Sequence, residues 1–291
     1  MKQVLGQFHA PAGHWVGDGF PVRTLFSYDR LGKYISPWLL LDYAGPQHFD
    51  AATQPRGVGP HPHRGFETVT LLYSGEVTHR DSAGNGGTIG VGEVQWMTAG
   101  SGLLHEEMHS QTFTQAGGLF EAVQLWINLP ARHKSVPPGY QSITRAQIPE
   151  IALPGGAGTL RLVAGEHVTP DGTVHRGPAR SFTPTWMMDV QLKAGHRLEL
   201  PVPAGWNCVV PLLRGRASVG GPEPLGPADL AILSAAEAGL AIEALEDSVL
   251  LVLAGEPIDE PIAGYGPFVM NTRAEIEQAY KDFQGGAFGR M

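Results

Sequence analysis

Between residues 66 and 129 the apolar positions fall in short runs, not at helical spacing. Phe66–Tyr73, Glu93–Met97 and Ala122–Leu129 are rich in β-branched and aromatic side chains, a composition that predicts strands. Turn signals separate them: Ser74-Gly75, Gly84-Asn85-Gly86-Gly87 and Gly90-Val91-Gly92,. From Ala131 to Gly139 charge and the Pro137-Pro138-Gly139 turn interrupt the pattern, and a second β-rich block runs from about Thr159 to Ala254. Only the tail changes period. Ile276, Ala279, Tyr280 and Phe283 share one helical face within 274–283,. Asn271 or Thr272 can cap that helix and Gly285-Gly286 can end it,.

The two β blocks read as distant copies. In the first, a histidine pair precedes Leu71-Leu72-Tyr73-Ser74-Gly75 and then Gly90-Val91-Gly92-Glu93-Val94. In the second, Val202-Pro203-Ala204-Gly205-Trp206 stands where the histidine pair stood, ahead of Pro211-Leu212-Leu213-Arg214-Gly215 and Leu225-Gly226-Pro227-Ala228-Asp229-Leu230. The turn grammar repeats and the histidines do not. This predicts an all-β chain with a duplicated barrel, one half functional and one structural.

Composition narrows the class. A chain of 291 residues is long enough for two domains,, and its 39 glycines and 24 prolines lack a collagen-like period, which fits many short strands joined by turns. The net charge of −8 argues against direct contact with nucleic acid,. Cys208, the single cysteine, cannot form an intramolecular disulfide, so a cytoplasmic, reducing location is expected. Residues 1–16 do not read as a signal peptide, and no apolar run is long enough to suggest a membrane span,.

The chemistry concentrates in His61-Pro62-His63 and His105-Glu106-Glu107. Side chains two apart on a strand share a face, so His61 pairs with His63 and His105 with Glu107. If the two strands are neighbours, three imidazoles and a carboxylate converge, a donor set for a divalent transition metal. Glu106 has the opposite parity. Glu67, in phase with His63, is open as a fourth ligand, a partner fixing an imidazole, or a general base. His79 and His109 are read as lying outside the ligand set. Phe66, Trp96, Met97 and Leu103 are either walls of a pocket for a flat aromatic ligand or ordinary barrel core.

Two long motifs carry a family resemblance: Gly59-Pro60-His61-Pro62-His63-Arg64-Gly65-Phe66-Glu67-Thr68-Val69-Thr70, and Gln95 through Met108 with Gly100-Ser101-Gly102-Leu103-Leu104-His105-Glu106-Glu107. Gly255-Glu256-Pro257, Glu260-Pro261 and Gly266-Pro267-Phe268-Val269-Met270-Asn271-Thr272 extend it. The chain resembles the pirin family of the cupin superfamily, in a bacterial-type form. The resemblance implies two tandem cupin (double-stranded β-helix) barrels: a metal-binding domain at 1–131, a domain without ligands at 140–265, and a helical segment at 266–291 packing back towards the first.

It places the metal on His61, His63, His105 and Glu107, and leaves Glu67 off the metal. Nitrogen and oxygen donors without thiolate suit Fe(II) first, with Ni, Co, Mn or Zn also accommodated. The implied activity is that of a quercetin 2,3-dioxygenase, with a flavonol and O2 as reactants and Glu107 or Glu67 as proton acceptor. The alternative it implies is an iron-dependent regulatory protein that binds a transcription factor or a metabolic enzyme without turnover. The resemblance also implies a monomer.

Overall fold

The computed structural model describes residues 1–291. The chain is mostly β and forms two compact units. One comprises Ala12–Thr24, Trp38–Arg145 and Asp259–Met291, the other Met1–Pro11, Leu25–Pro37 and Ala146–Ile258.

In the first of these units a seven-stranded sheet runs in the order Gly139–Ile143, Val94–Thr98, Phe66–Ser74, Gly118–Asn128, Trp38–Phe49, Phe20–Ser27, His14–Val16. A four-stranded sheet runs Gly57–His63, Leu103–His109, Val77–Asp81, Gly86–Ile89. Thr70 and Gln124 of the large sheet hydrogen-bond Glu107 of the small one, so the two sheets face each other across an interior, the cupin arrangement. The three strands expected here form at Phe66–Ser74, Val94–Thr98 and Gly118–Asn128.

The second unit repeats the plan. Its large sheet orders Val4–Phe8, Asp229–Leu233, Asn207–Arg214, Ser248–Gly255, Thr185–Leu192, Gly158–Ala164, Glu150–Ala152, and its small sheet orders Arg197–Leu200, Leu240–Ala244, Ala217–Ser218. Val4–Phe8 pairs with Asp229–Leu233, so the chain begins in this unit and not in the block that follows it in sequence. The pair Arg197–Leu200 and Leu240–Ala244 holds the place that Gly57–His63 and Leu103–His109 hold in the other unit. There Leu198 faces Ile242 and Leu200 faces Leu240, and all four join a continuous hydrocarbon core with Leu162, Val190, Val210 and Leu250. The equivalent of the histidine strand is thus Arg197–Leu200, slightly ahead of the Val202–Trp206 stretch expected from turn spacing. Burying each such aliphatic side chain contributes about 1.5–3 kcal/mol, and this interior is committed to stability.

The C-terminal helix spans Arg273–Gln284, with Thr272 and Glu275 forming a reciprocal capping box,. Two short helices, Tyr28–Ile35 and Gln111–Ala116, had no clear periodic signal at their lengths. Ahead of the C-terminal helix, Phe268–Met270 crosses beside the turn that follows His63. Gly65 there has φ +87°, and a Cβ on it would lie 2.1 Å from the Val269 carbonyl oxygen, so only glycine lets the segment approach. Arg64 Nη1 donates to Asp282 Oδ2 at 2.5 Å, and Ser82 Oγ donates to the Phe288 carbonyl at 2.6 Å. No helix is long and apolar enough to cross a membrane.

Candidate metal centre

Gly57–His63 and Leu103–His109 pair antiparallel, with His105 opposite His61 and Leu103 opposite His63. Same-face alternation then stacks three imidazoles over one patch of the interior. Ring centroids lie 4.2 Å apart for His61 and His105, 4.7 Å for His63 and His105, and 4.9 Å for His61 and His63. One ring nitrogen from each lies within 4.8 Å of the other two.

The surroundings select the tautomer. His61 Nδ1 sits 2.9 Å from the Gly59 carbonyl and His63 Nδ1 sits 3.4 Å from the Pro267 carbonyl. Each Nδ1–H donates to its carbonyl and leaves the Nε2 lone pair free, the usual way a metal-binding imidazole is oriented. His105 is fully buried and neither of its ring nitrogens has a hydrogen-bond partner. An unpaired buried polar atom costs about 1–3 kcal/mol, and a metal ion would satisfy one of the two. The residues therefore fit the group.

Burial keeps the His63 and His105 rings neutral. Burial, and then the neighbouring His61, push His63 down from 6.5 to about 3, and His105 is lowered well below the ordinary value by burial and by His63 and His61. Neutral imidazole is the ligand form. Between those two pKa values the unfolded chain binds the proton that folded His63 refuses, so stability falls as pH drops from 6.5 towards 3,. Denaturant titration of metal-free protein is expected to show a loss of about 2 kcal/mol from His63 alone between about pH 6.5 and 5. A flat profile over that window would contradict buried neutral rings.

Glu107 lies on the same strand face as His105 and lines the same cavity as His61 and His63. Its carboxylate accepts from Thr70 Oγ1 at 3.2 Å and from Gln124 Nε2 at 2.9 Å, and it stands apart from the tight histidine trio. Glu106 points the other way, to Arg80 at 2.7 Å.

Glu67 is not brought to the cluster. Its Oε1 accepts from Thr98 Oγ1 at 2.7 Å, while the alternate positions Phe66 and Thr70 touch His63 and Glu107. The expectation that Glu67 faces inward carried the two-residue period across Gly65, where the chain leaves the small sheet for the large one and the phase is reset. Burial nonetheless raises its pKa to about 7, against the hydrogen bond from Thr98.

His109 Nε2–H donates to the Gly19 carbonyl, 3.0 Å away, inside a ring of Phe20, Phe49, Phe113 and Phe120. His79 lies one strand over, its ring 5.2 Å from His105 and its Nδ1 2.5 Å from Gln95 Nε2.

The cavity has a volume of about 340 Å³, within the range that takes a drug-sized ligand. Its apolar wall comes from Val16, Phe20, Val22, Ala44, Val58 and Trp126. Phe66, Trp96, Met97 and Leu103 are buried core and do not line it. Most of the true wall lies on strands far away in sequence. The readable signal was period-two parity around Thr70 and Gln124, polar residues each flanked by apolar neighbours on its strand.

Comparison with known proteins agrees with this geometry. The family model described as Pirin matches residues 19–127, and the Pirin C-terminal cupin domain matches residues 187–289. A Pseudomonas aeruginosa protein named "putative quercetin 2,3-dioxygenase" is 56% identical over 290 residues, covering 100% of this chain and 99% of its own. A pirin-like protein of Solanum lycopersicum is 38% identical and covers 94% of this chain and 88% of its own. The crystal structure of quercetin 2,3-dioxygenase from Acinetobacter baumannii superposes with a TM-score of 0.95 at 52% identity, covering 99% of each chain. With two family models along its length and full-length relatives at this identity, the chain belongs to the pirin family.

Proposed function

We propose that this pirin is a mononuclear metal dioxygenase that cleaves a flavonol with O2. The observation that carries the reading is the histidine trio, with ring nitrogens free to bind, at a cavity that also holds Glu107. We assign His61, His63, His105 and Glu107 as the donors for one divalent metal, Fe(II) first, because an all-imidazole and carboxylate set without thiolate suits it, and Ni, Co, Mn or Zn second. The near-full-length relatives named for quercetin 2,3-dioxygenase support the substrate class.

When bound, the metal supplies Lewis acidity to the flavonol 3-hydroxyl and a meeting place for O2. The protein supplies the rest. The Gly59 and Pro267 carbonyls hold two imidazoles in the donor tautomer. Thr70 and Gln124 hold the Glu107 carboxylate at the cavity, where it would be the group to accept the hydroxyl proton,. Phe20, Val22 and Trp126 offer a flat apolar surface that keeps bulk water out. The overall reaction adds both atoms of O2 to the flavonol and expels one ring carbon as carbon monoxide. We place the protein in the cytoplasm, since its single cysteine, Cys208, is free and can form no intramolecular disulfide, which fits a reducing compartment,.

The test is to load the protein anaerobically with Fe(II), Ni(II), Co(II) or Mn(II), add quercetin and oxygen, and follow flavonol absorbance together with carbon monoxide. Loss of absorbance with stoichiometric carbon monoxide is the expected result. Absence of turnover with all four metals overturns the assignment for that substrate.

A further inference from the structure

The residues lining the cavity include a second carboxylate besides Glu107, that of Asp42. It ends a polar row that crosses the large sheet in register, one residue per strand: Asp42 opposite Gln124, Gln124 opposite Thr70, Thr70 opposite Gln95. The next row along the same face is apolar, with Ala44 opposite Ala122 and Ala122 opposite Leu72.

Three members of the row have interior partners. Thr70 Oγ1 lies 2.5 Å from Gln124 Oε1, Gln124 donates to Glu107 at 2.9 Å, and Gln95 lies 2.5 Å from His79. Asp42 differs. Its Oδ1 accepts from Thr24 Oγ1 at 2.5 Å, a single donor for a group that can accept about four hydrogen bonds. The remaining capacity of the half-buried carboxylate opens into the cavity. Burial raises its pKa, opposed by Thr24 and by the charge of His14, so it is a desolvated acceptor short of donors. Packing alone would favour an alanine or valine there, since an under-satisfied carboxylate in an apolar wall costs free energy.

We propose that Asp42 determines specificity by accepting a hydrogen bond from a phenolic hydroxyl of a flat aromatic ligand whose other end reaches the histidine trio. The inference rests on the flavonol reading above and adds to it the substrate feature selected: a hydroxyl remote from the metal-directed one. A ligand without that hydroxyl would cover Asp42 with hydrocarbon and leave it unpaired, which is how a polar site rejects an analogue lacking the matching group.

Anaerobic binding separates this claim from turnover. Quercetin carries remote hydroxyls, whereas 3-hydroxyflavone carries only the metal-directed one. Metal-loaded wild-type protein is expected to bind quercetin about 10- to 100-fold more tightly than 3-hydroxyflavone. Asp42→Asn, which keeps the shape and the Thr24 contact, is expected to shrink that ratio several-fold, and Asp42→Ala to abolish it, with quercetin bound more weakly and 3-hydroxyflavone, freed of the unpaired carboxylate, bound more tightly than by wild type. A merely structural role would weaken both ligands alike and leave the ratio intact. Equal binding of the two ligands by wild type, or an unchanged ratio in both variants, overturns the proposal. Binding of quercetin with the expected ratio but no turnover would sink the dioxygenase reading and leave the Asp42 assignment standing.

Discussion

Replacing His105 with leucine is expected to abolish metal binding and, at the same time, to raise the stability of the metal-free protein. The two effects share one cause. His105 is fully buried with both ring nitrogens unpaired, a cost of about 1–3 kcal/mol that leucine of similar volume removes. The equivalent strand of the other barrel carries aliphatic side chains, Leu240 and Ile242, within a continuous core. With metal the order reverses. A ligand present at about a thousand times its Kd stabilises the folded state by about 4 kcal/mol, and His105→Leu forfeits that gain. Turnover is expected to fall by more than about a hundredfold, because the metal contributes several kcal/mol to the reaction. Thermal melts of both proteins with and without metal, beside metal analysis, check all three statements. A His105→Leu protein less stable than wild type in the metal-free state would mean that the imidazole is satisfied in some way other than metal binding.

Lys134→Met is expected to destabilise the metal-binding unit by several kcal/mol. The ammonium is buried and donates to the Gly65 carbonyl at 2.8 Å, Asn128 Oδ1 at 2.7 Å and the Val269 carbonyl at 2.9 Å. Burial pushes its pKa down to about 7, opposed by Glu260 and Glu275. Three acceptors give the third proton a partner that a neutral amine would leave empty. Methionine fills the space and leaves all three acceptors bare, at a cost of about 3–5 kcal/mol, a large fraction of the 5–15 kcal/mol of a typical domain. Arginine should not rescue, because a planar fork cannot address three acceptors arranged around one nitrogen.

The damage should also reach the site. Gly65 follows His63 by two residues, and Val269 follows Pro267, whose carbonyl orients His63. Denaturant unfolding and metal affinity of the folded variant are therefore expected to fall together. A Lys134→Met protein with wild-type stability would remove the staple from this account.

Much of this protein is legible in one dimension because its interactions repeat at short period. Strand alternation put His61 with His63 and His105 with Glu107 on one face before any fold was known, and it turned Glu106 outward to Arg80. The capped helix at the C-terminus was readable for the same reason, since Thr272, Glu275 and the apolar stripe all lie within a few turns of each other. The duplication was visible in turn grammar, although the strand that replaces the histidine strand lies a few residues earlier than the turns suggested.

Local period fails wherever the chain changes sheet. Counting through Gly65 placed Glu67 in the interior, and the positive-φ turn reversed it. Distant partners fail for a different reason. Asp42, Gln124 and Thr70 become one row only through strand register, and Lys134 finds its acceptors on the Gly65 turn, Asn128 and the Val269 backbone.

By itself, then, the sequence determined the all-β class, the family, the histidine trio and the duplicated barrel, because each is written in side-chain type and spacing within one or two strands. Only the tertiary structure decided which carboxylates share the cavity with the trio, which apolar residues wall it, and that the residues after Gly266 supply the carbonyl orienting His63. Those relations depend on register between strands and on closure of the C-terminal segment, and neither leaves a local mark in the chain.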